Sequence, residues 1–250
     1  MPDNLPFFLA HAGQRLAYRQ VAGKSPGLFF LHGFRSDMSG AKAEHLDALA
    51  QRKGLAFTRF DYTGHGLSSG TIRDGDIECW RDDALAVFDA LTVGPQIVIG
   101  SSLGGWLALL LARARPERVR AIVGLAAAPD FTEDLMWPGM SPAQQAELLA
   151  NGEISVPTAY APEPYVITRR LIESGREHLL LRAPLAITCP VRLIHGMRDP
   201  DVPWQTALRL AAVLASEDVR ITLIKDGEHR LSRESDLMVL TQIVRELIEF

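Results

Sequence analysis

Cysteine is scarce in this chain of 250 residues: only Cys79 and Cys189 occur, too far apart for a C-x-x-C or any metal-ligand spacing. That argues against a disulfide framework and a cysteine zinc site, and a reduced protein with inert thiols is expected. Basic charge is not in excess either, since 26 Lys and Arg stand against 30 Asp and Glu for a net −4, with no basic cluster. No nucleic-acid partner is expected. Long apolar runs are missing. The most apolar windows, 107–112 and 121–128, fall far short of the roughly 20 residues that span a bilayer, so no membrane span is expected. Met1-Pro2-Asp3-Asn4-Leu5 lacks the basic start and apolar stretch of a signal peptide, and the expected location is the cytoplasm. There is no G-x-G-x-x-G after a strand, no Walker loop and no paired-histidine zinc motif, so neither cofactor nor metal is expected.

What the chain does have is 47% hydrophobic and 22% charged residues, the balance of a globular protein. At this length a core large enough to need no covalent staples can form.

The most informative stretch is Gly100-Ser101-Ser102-Leu103-Gly104, a G-x-S-x-G pattern. It lies between a strand-like run, Gln96-Ile97-Val98-Ile99, and a helix-like one, Trp106 to Ala112. A serine at the tip of a sharp strand-to-helix turn projects its hydroxyl out of the sheet, and small flanking residues are needed where the two backbones nearly touch. Gly66-Leu67-Ser68-Ser69-Gly70 spells the same pattern, but no helical apolar period follows it. Context therefore assigns the nucleophile to Ser102 rather than Ser68.

Taken in order, Leu5 to Leu9 and Leu16 to Val21 read as an opening hairpin, and Gly27 to Leu31 as a strand covered on both faces. Ala41 to Arg52 reads as a helix stopped by Gly54, Phe57 to Asp61 as a strand, and Ile77 to Leu91 as a helix with apolar residues at i, i+3, i+4 and i+7. The Ser102 unit and a strand at Ala121 to Ala127 follow. Strands alternating with helices predict right-handed crossovers and a mostly parallel sheet. The rhythm breaks between Pro129 and Pro184, where prolines and the aromatics Trp137, Tyr160 and Tyr165 gather. Short helices are expected there at Ala143 to Ala150, Tyr165 to Glu173 and Glu177 to Leu181. It returns with a strand at Val191 to Ile194, a helix at Pro203 to Ala215, a strand at Val219 to Ile224 and a helix at Glu234 to Phe250. One discontinuous core, 1–128 with 186–250, carrying a helical lid insertion, 129–185, is the expected organisation.

A serine hydroxyl needs a base within reach, and the base needs an orienting carboxylate. In parallel sheets such groups sit on loops after strands. His11, His45 and His178 fall elsewhere. His32 and His195 precede glycine at strand ends, where an imidazole braces a loop, and His65 lies in Gly64-His65-Gly66, again loop architecture. His229 follows the last strand and is the expected base. The acid should come between serine and histidine. Asp199 and Asp201 both follow a strand; Asp199 holds the tighter position, Asp201 fits a helix N-cap better, and Asp130 is a third candidate. Backbone N–H groups of Leu103 and Phe34 are the expected oxyanion donors.

These blocks resemble the α/β-hydrolase superfamily over nearly the whole chain. More narrowly, Gly94 to Leu107, Cys189 to Met197, Val202-Pro203-Trp204 and Asp226 to Arg230 are similar to its branch of abhydrolase-domain palmitoyl-protein thioesterases and acyl-glucuronide esterases. The resemblance implies the α/β-hydrolase fold, a mostly parallel eight-stranded sheet with helices on both faces and a helical lid. It also implies Ser102, Asp199 and His229 as nucleophile, acid and base, and a small-molecule or acylated substrate cleaved at an ester or thioester. Arg35, Met136, Trp137, Met140, Tyr160 and Tyr165 are candidates for the substrate pocket, Arg35 as a contact for an anionic leaving group or simply a surface arginine. Two other classes use the same residues: a non-catalytic ligand-binding protein on this fold, and the same triad applied to carbon–carbon hydrolysis or perhydrolysis. No oligomeric state follows from these residues.

Overall fold

The computed structural model describes residues 5–158, 162 and 164–249. The chain opens with a hairpin of β1 (Phe7–His11) and β2 (Gln14–Val21). Its two-residue turn, Ala12-Gly13, has positive φ at both positions (47° and 79°), the backbone that matches strand twist in a tight hairpin. β3 (Lys24–Leu31) is the apolar run read as doubly covered. Phe29 and Leu31 enter one hydrophobic cluster and Leu28 and Phe30 the other, as strand alternation requires.

α1 (Ala41–Lys53), β4 (Leu55–Phe60), α2 (Ile77–Leu91), β5 (Gln96–Ser101), α3 (Leu103–Ala114) and β6 (Val119–Leu125) complete the first half. After the insertion come β9 (Val191–Gly196), α7 (Gln205–Val213), β10 (Val219–Ile224) and α8 (Glu234–Glu249). The eight strands run in the order β1-β2-β4-β3-β5-β6-β9-β10. Only the β1–β2 and β2–β4 pairs are antiparallel. α2, α3 and α7 contribute to one core and α1 and α8 to the other, so helices cover both faces.

α3 is apolar all round because it is enclosed all round. Every residue from Leu103 to Ala112 is buried, which an amphipathic surface helix would not tolerate. A fully buried Leu in such a place contributes roughly 1.5–3 kcal/mol. The Trp106 indole N–H donates to the His178 carbonyl at 3.1 Å, anchoring the insertion to this central helix.

The insertion departs from the expected all-helical plan. A π-helical turn (Thr132–Met136) runs into a short α4 (Trp137–Gly139), and α5 (Pro142–Asn151) follows behind a Ser141–Gln144 capping box. β7 (Glu153–Val156) and β8 (Tyr165–Thr168) then form a separate antiparallel pair, followed by α6 (Arg169–Glu177). Tyr165 to Thr168 was expected as the first turn of a helix. It is a strand because Tyr-Val-Ile-Thr suits a pleated surface and finds a partner in β7, and the helix starts only where the Thr168 hydroxyl accepts the Leu171 N–H. The expected helix at Glu177 to Leu181 is absent too: α6 ends at Glu177, and His178 to Leu181 are not helical. The Leu180 and Leu181 N–H groups donate to the Asp130 carboxylate at 2.7 and 2.9 Å, a side chain doing what a helical carbonyl would otherwise do.

Candidate active site

Ser102 joins β5 to α3 with φ 54° and ψ −117°, a conformation that costs a non-glycine residue roughly 1–3 kcal/mol. Hydrogen bonds overdetermine it. Its N–H donates to the Leu125 carbonyl at 2.9 Å, and its own carbonyl accepts from Gly105 and Ala128 at 2.9 and 3.1 Å. The flanking glycines follow from contact distances: a Cβ on Gly100 would stand 2.2 Å from the Gly104 carbonyl oxygen, and one on Gly104 2.1 Å from the Leu31 carbonyl oxygen. Only glycine lets β3, β5 and α3 approach this closely.

His229, in the loop between β10 and α8, places Nε2 3.1 Å from Ser102 Oγ and Nδ1 2.8 Å from Asp199 Oδ2. A carboxylate only accepts, so Nδ1 carries the proton and Nε2 is left to take one from the serine. Asp199 Oδ1 accepts the Asp201 and Val202 N–H groups, both at 2.9 Å. Oδ2 also lies 3.3 Å from His195 Nε2, which is 2.9 Å from the Val202 carbonyl. Burial alone would raise the Asp199 pKa, but bonding from His195 and His229 outweighs it and holds the carboxyl well below its usual range. The acid therefore stays ionised.

The other candidates hold different places. Asp201 is exposed; its carboxylate lies within 4.8 Å of the Asp199 and His229 donor atoms, yet the His229 bond goes to Asp199. Asp130 is buried and braces the chain at Leu180 and Leu181. Ser68 accepts the Ala17 N–H and donates to the Asp61 carbonyl, so its pattern match is loop architecture. His45 bonds Thr241, linking α1 to α8.

The loop after β3 lies against Ser102, since a Cβ on Gly33 would stand 3.4 Å from the serine Cβ. The Gly33 carbonyl accepts from Ser36 N–H at 3.1 Å and pairs with His32 Nδ1 at 2.8 Å. Because a trans peptide directs its N–H opposite to its carbonyl, these bonds orient the Phe34 N–H. Leu103 is the first residue of α3, where an N–H has no intrahelical acceptor and the helix dipole is positive.

A cavity of about 820 Å³ opens over Ser102 and His229. Arg35, Met136 and Tyr165 line it, with the Arg35 guanidinium 4.7 Å above the Tyr165 ring. Trp137 and Met140 do not. Met140 is buried with Leu148, Ile154, Ile167 and Ile172 in the insertion's own core, and Trp137 packs against that core with Arg176 over its ring. Those aromatic and sulfur side chains are what lets so small a unit bury a core. Tyr160 lies outside the described residues. Phe131, Leu135 and Lys42 line the cavity as well and were not singled out from sequence. The Lys42 ammonium donates to the Arg230 carbonyl and Ser232 Oγ, tying α1 to the His229 loop. Burial and the Arg230 charge push its pKa down to about 8, against a smaller opposing effect of Asp236.

Residues 28–239 match the model of the alpha/beta hydrolase family. The chain is 41% identical over 235 residues to "Palmitoyl-protein thioesterase ABHD10, mitochondrial" of Mus musculus, covering 94% of this chain and 79% of the relative. The human protein of that name is 39% identical, covering 94% and 76%. Among solved structures, alpha/beta hydrolase domain-containing protein 10 from mouse superposes with a TM-score of 0.90 at 38% identity, covering 98% of each chain. No described helix is long and apolar enough to cross a membrane.

Proposed function

The chain belongs to the alpha/beta hydrolase family, and we propose that it removes acyl groups from thioesters and esters through an acyl-enzyme on Ser102. The single observation carrying this reading is the unbroken relay from Ser102 Oγ through His229 to Asp199, with contacts of 3.1 and 2.8 Å, set on a strained turn beneath an open cavity. In this reading His229 Nε2 takes the serine proton as Oγ attacks the acyl carbon, and Asp199 stabilises the imidazolium that forms. The Phe34 and Leu103 N–H groups receive the oxyanion; one such donor is typically worth about a hundred- to a thousandfold in rate. His229 then returns its proton to the leaving thiolate or alkoxide, and a water activated by the same imidazole releases the acid.

A long acyl chain is the proposed substrate group. Ala128, Phe131, Leu135 and Met136 form an apolar wall of the cavity, and the ABHD10 relatives are named palmitoyl-protein thioesterases. The test is a panel of p-nitrophenyl esters and acyl thioesters of graded chain length. Turnover rising with chain length, and lost in folded Ser102→Ala, is the expected result. Undiminished turnover by that variant would overturn the reading.

A further inference from the structure

We propose that His65 is a positioning residue that sets the oxyanion donor by holding the backbone beside Phe34. The proposal rests on the reading of the Phe34 N–H as an oxyanion donor. His65 belongs to the loop after β4, and its ring reaches across to the loop after β3. There Nε2 stands 3.1 Å from the Arg35 backbone nitrogen, while Nδ1 stands 3.3 Å from the Thr63 carbonyl. A backbone amide can only donate and a carbonyl can only accept. One form of the ring satisfies both, the neutral tautomer with its proton on Nδ1; the doubly protonated ring satisfies only one.

The surroundings hold the ring in that form and orientation. His65 is 4% exposed. Tyr62 and Trp80 meet it edge-on at 5.6 and 5.1 Å, and His32 lies at 5.2 Å. Burial pushes its pKa down to about 4, with the Thr63 carbonyl opposing and the Arg35 charge adding to the effect. At neutral pH the acceptor is therefore always available.

What the bond accomplishes follows from peptide geometry. Two peptide planes flank the Phe34 Cα and fix its φ and ψ. The preceding plane is pinned through the Gly33 carbonyl by Ser36 and His32. The following plane is pinned through the Arg35 N–H by His65. Arg35 itself has φ 55°, a left-handed conformation that a non-glycine residue adopts only when held there. Without the His65 acceptor that N–H has lost its partner and the second plane is free to turn; Arg35 and Ser36 move with it, so the Ser36 N–H that holds the Gly33 carbonyl, and through that peptide the Phe34 N–H, loses its fixed place.

The experiment compares wild type, His65→Leu and His65→Gln in steady-state thioester hydrolysis and in inhibition by an alkylboronic acid, which forms a tetrahedral adduct on a serine nucleophile. Thermal melts and circular dichroism report folding. His65→Leu, which removes the acceptor and keeps the bulk, should lower kcat about ten- to a hundredfold and weaken the boronic acid by a similar factor, leaving KM within about twofold. His65→Gln, whose amide oxygen can accept the Arg35 N–H, should recover much of both. A merely structural role would lower melting temperature without this parallel loss of kcat and tetrahedral-adduct affinity. Wild-type kcat and boronic-acid affinity in folded His65→Leu would overturn the inference alone. If His65→Leu does not fold, His65→Asn takes its place, since its shorter side chain cannot reach Arg35; equal kcat and boronic-acid affinity in the Gln and Asn variants would then overturn it. Failure of the wild-type enzyme to bind any boronic acid would instead remove the oxyanion reading on which the inference stands.

Discussion

His229 Nε2 lies 3.1 Å from Ser102 Oγ although 127 residues separate the two in the chain. The sheet order makes the meeting possible. β5 and β9 flank β6, and β10 lies outside β9; all four run parallel, so the loops bearing Ser102, Asp199 and His229 leave the same edge. Ser102 is fixed by a strained turn inside the core and His229 by a surface loop. Lys42 joins that loop to α1.

The acid can be told from its neighbours by kinetics. Asp199→Asn should lower kcat by about 10⁴-fold while leaving the fold intact, because the His229 tautomer loses its partner. Asp201→Asn, whose side chain is exposed, should stay within about threefold of wild type. Asp130→Asn should cost about 1–3 kcal/mol of stability, since it replaces a carboxylate that accepts two buried N–H groups with an amide. Steady-state rates and denaturant midpoints on the three variants separate these outcomes.

Gly104→Ala should destabilise the protein by about 3 kcal/mol or more, because the added Cβ meets the Leu31 backbone at 2.1 Å and backbone cannot swing aside. Gly139→Ala is the matched control. Nothing lies within 4 Å of its Cβ, and in the short α4 it should be neutral or stabilising by up to about 1 kcal/mol. Urea midpoints at constant m-value measure both.

Acid should destabilise the fold partly through His65. Its ordinary pKa of 6.5 is pushed down to about 4 by burial, so between those values the unfolded chain binds the extra proton and stability falls as pH falls. Asp61 acts the other way: burial raises it from 3.8 to about 6, so the folded state binds the proton and gains stability as pH drops through that window. Asp61 and the buried His32 are present in both wild type and His65→Leu. The difference between their unfolding free energies from pH 7 to pH 4 therefore reports His65 together with its charge effect on His32. It should shift in the variant's favour on acidification, by up to about 3 kcal/mol. Parallel curves would contradict the assignment.

Phe131→Ala should separate long substrates from short ones. Phe131 lines the cavity and packs edge-on to Trp106 at 5.7 Å, so its removal takes apolar surface from the acyl wall. KM for a long-chain thioester should rise roughly five- to tenfold while that for the acetyl thioester stays within about twofold. An equal change on both would place Phe131 outside the acyl site.

The core was legible because its signals are local and redundant. Gly27 to Leu31 reads as a doubly covered strand, Trp106 to Ala112 as a helix, and Gly100 and Gly104 mark a close approach in which an added Cβ would stand 2.2 and 2.1 Å from neighbouring backbone. The insertion was less so. Tyr165 to Thr168 is a strand only because β7 is there to pair with it, and Trp137 and Met140 serve the insertion's own small core rather than the cavity. Lys42 carries no motif, and Gly64-His65-Gly66 shows only that His65 belongs to a loop. Their partners, the Arg230 carbonyl and the Arg35 N–H, are backbone groups that no side-chain pattern reveals.

The central claim is that Ser102 is the nucleophile, and the most direct measurement is the site of a covalent adduct. Wild-type protein treated with a fluorophosphonate should gain the mass of one adduct, mapped by peptide mass spectrometry to the segment holding Gly100-Ser101-Ser102-Leu103-Gly104. Ser102→Ala should gain none, and His229→Ala should label far more slowly. An adduct on Ser68, or none on well-folded wild-type protein, would contradict the account.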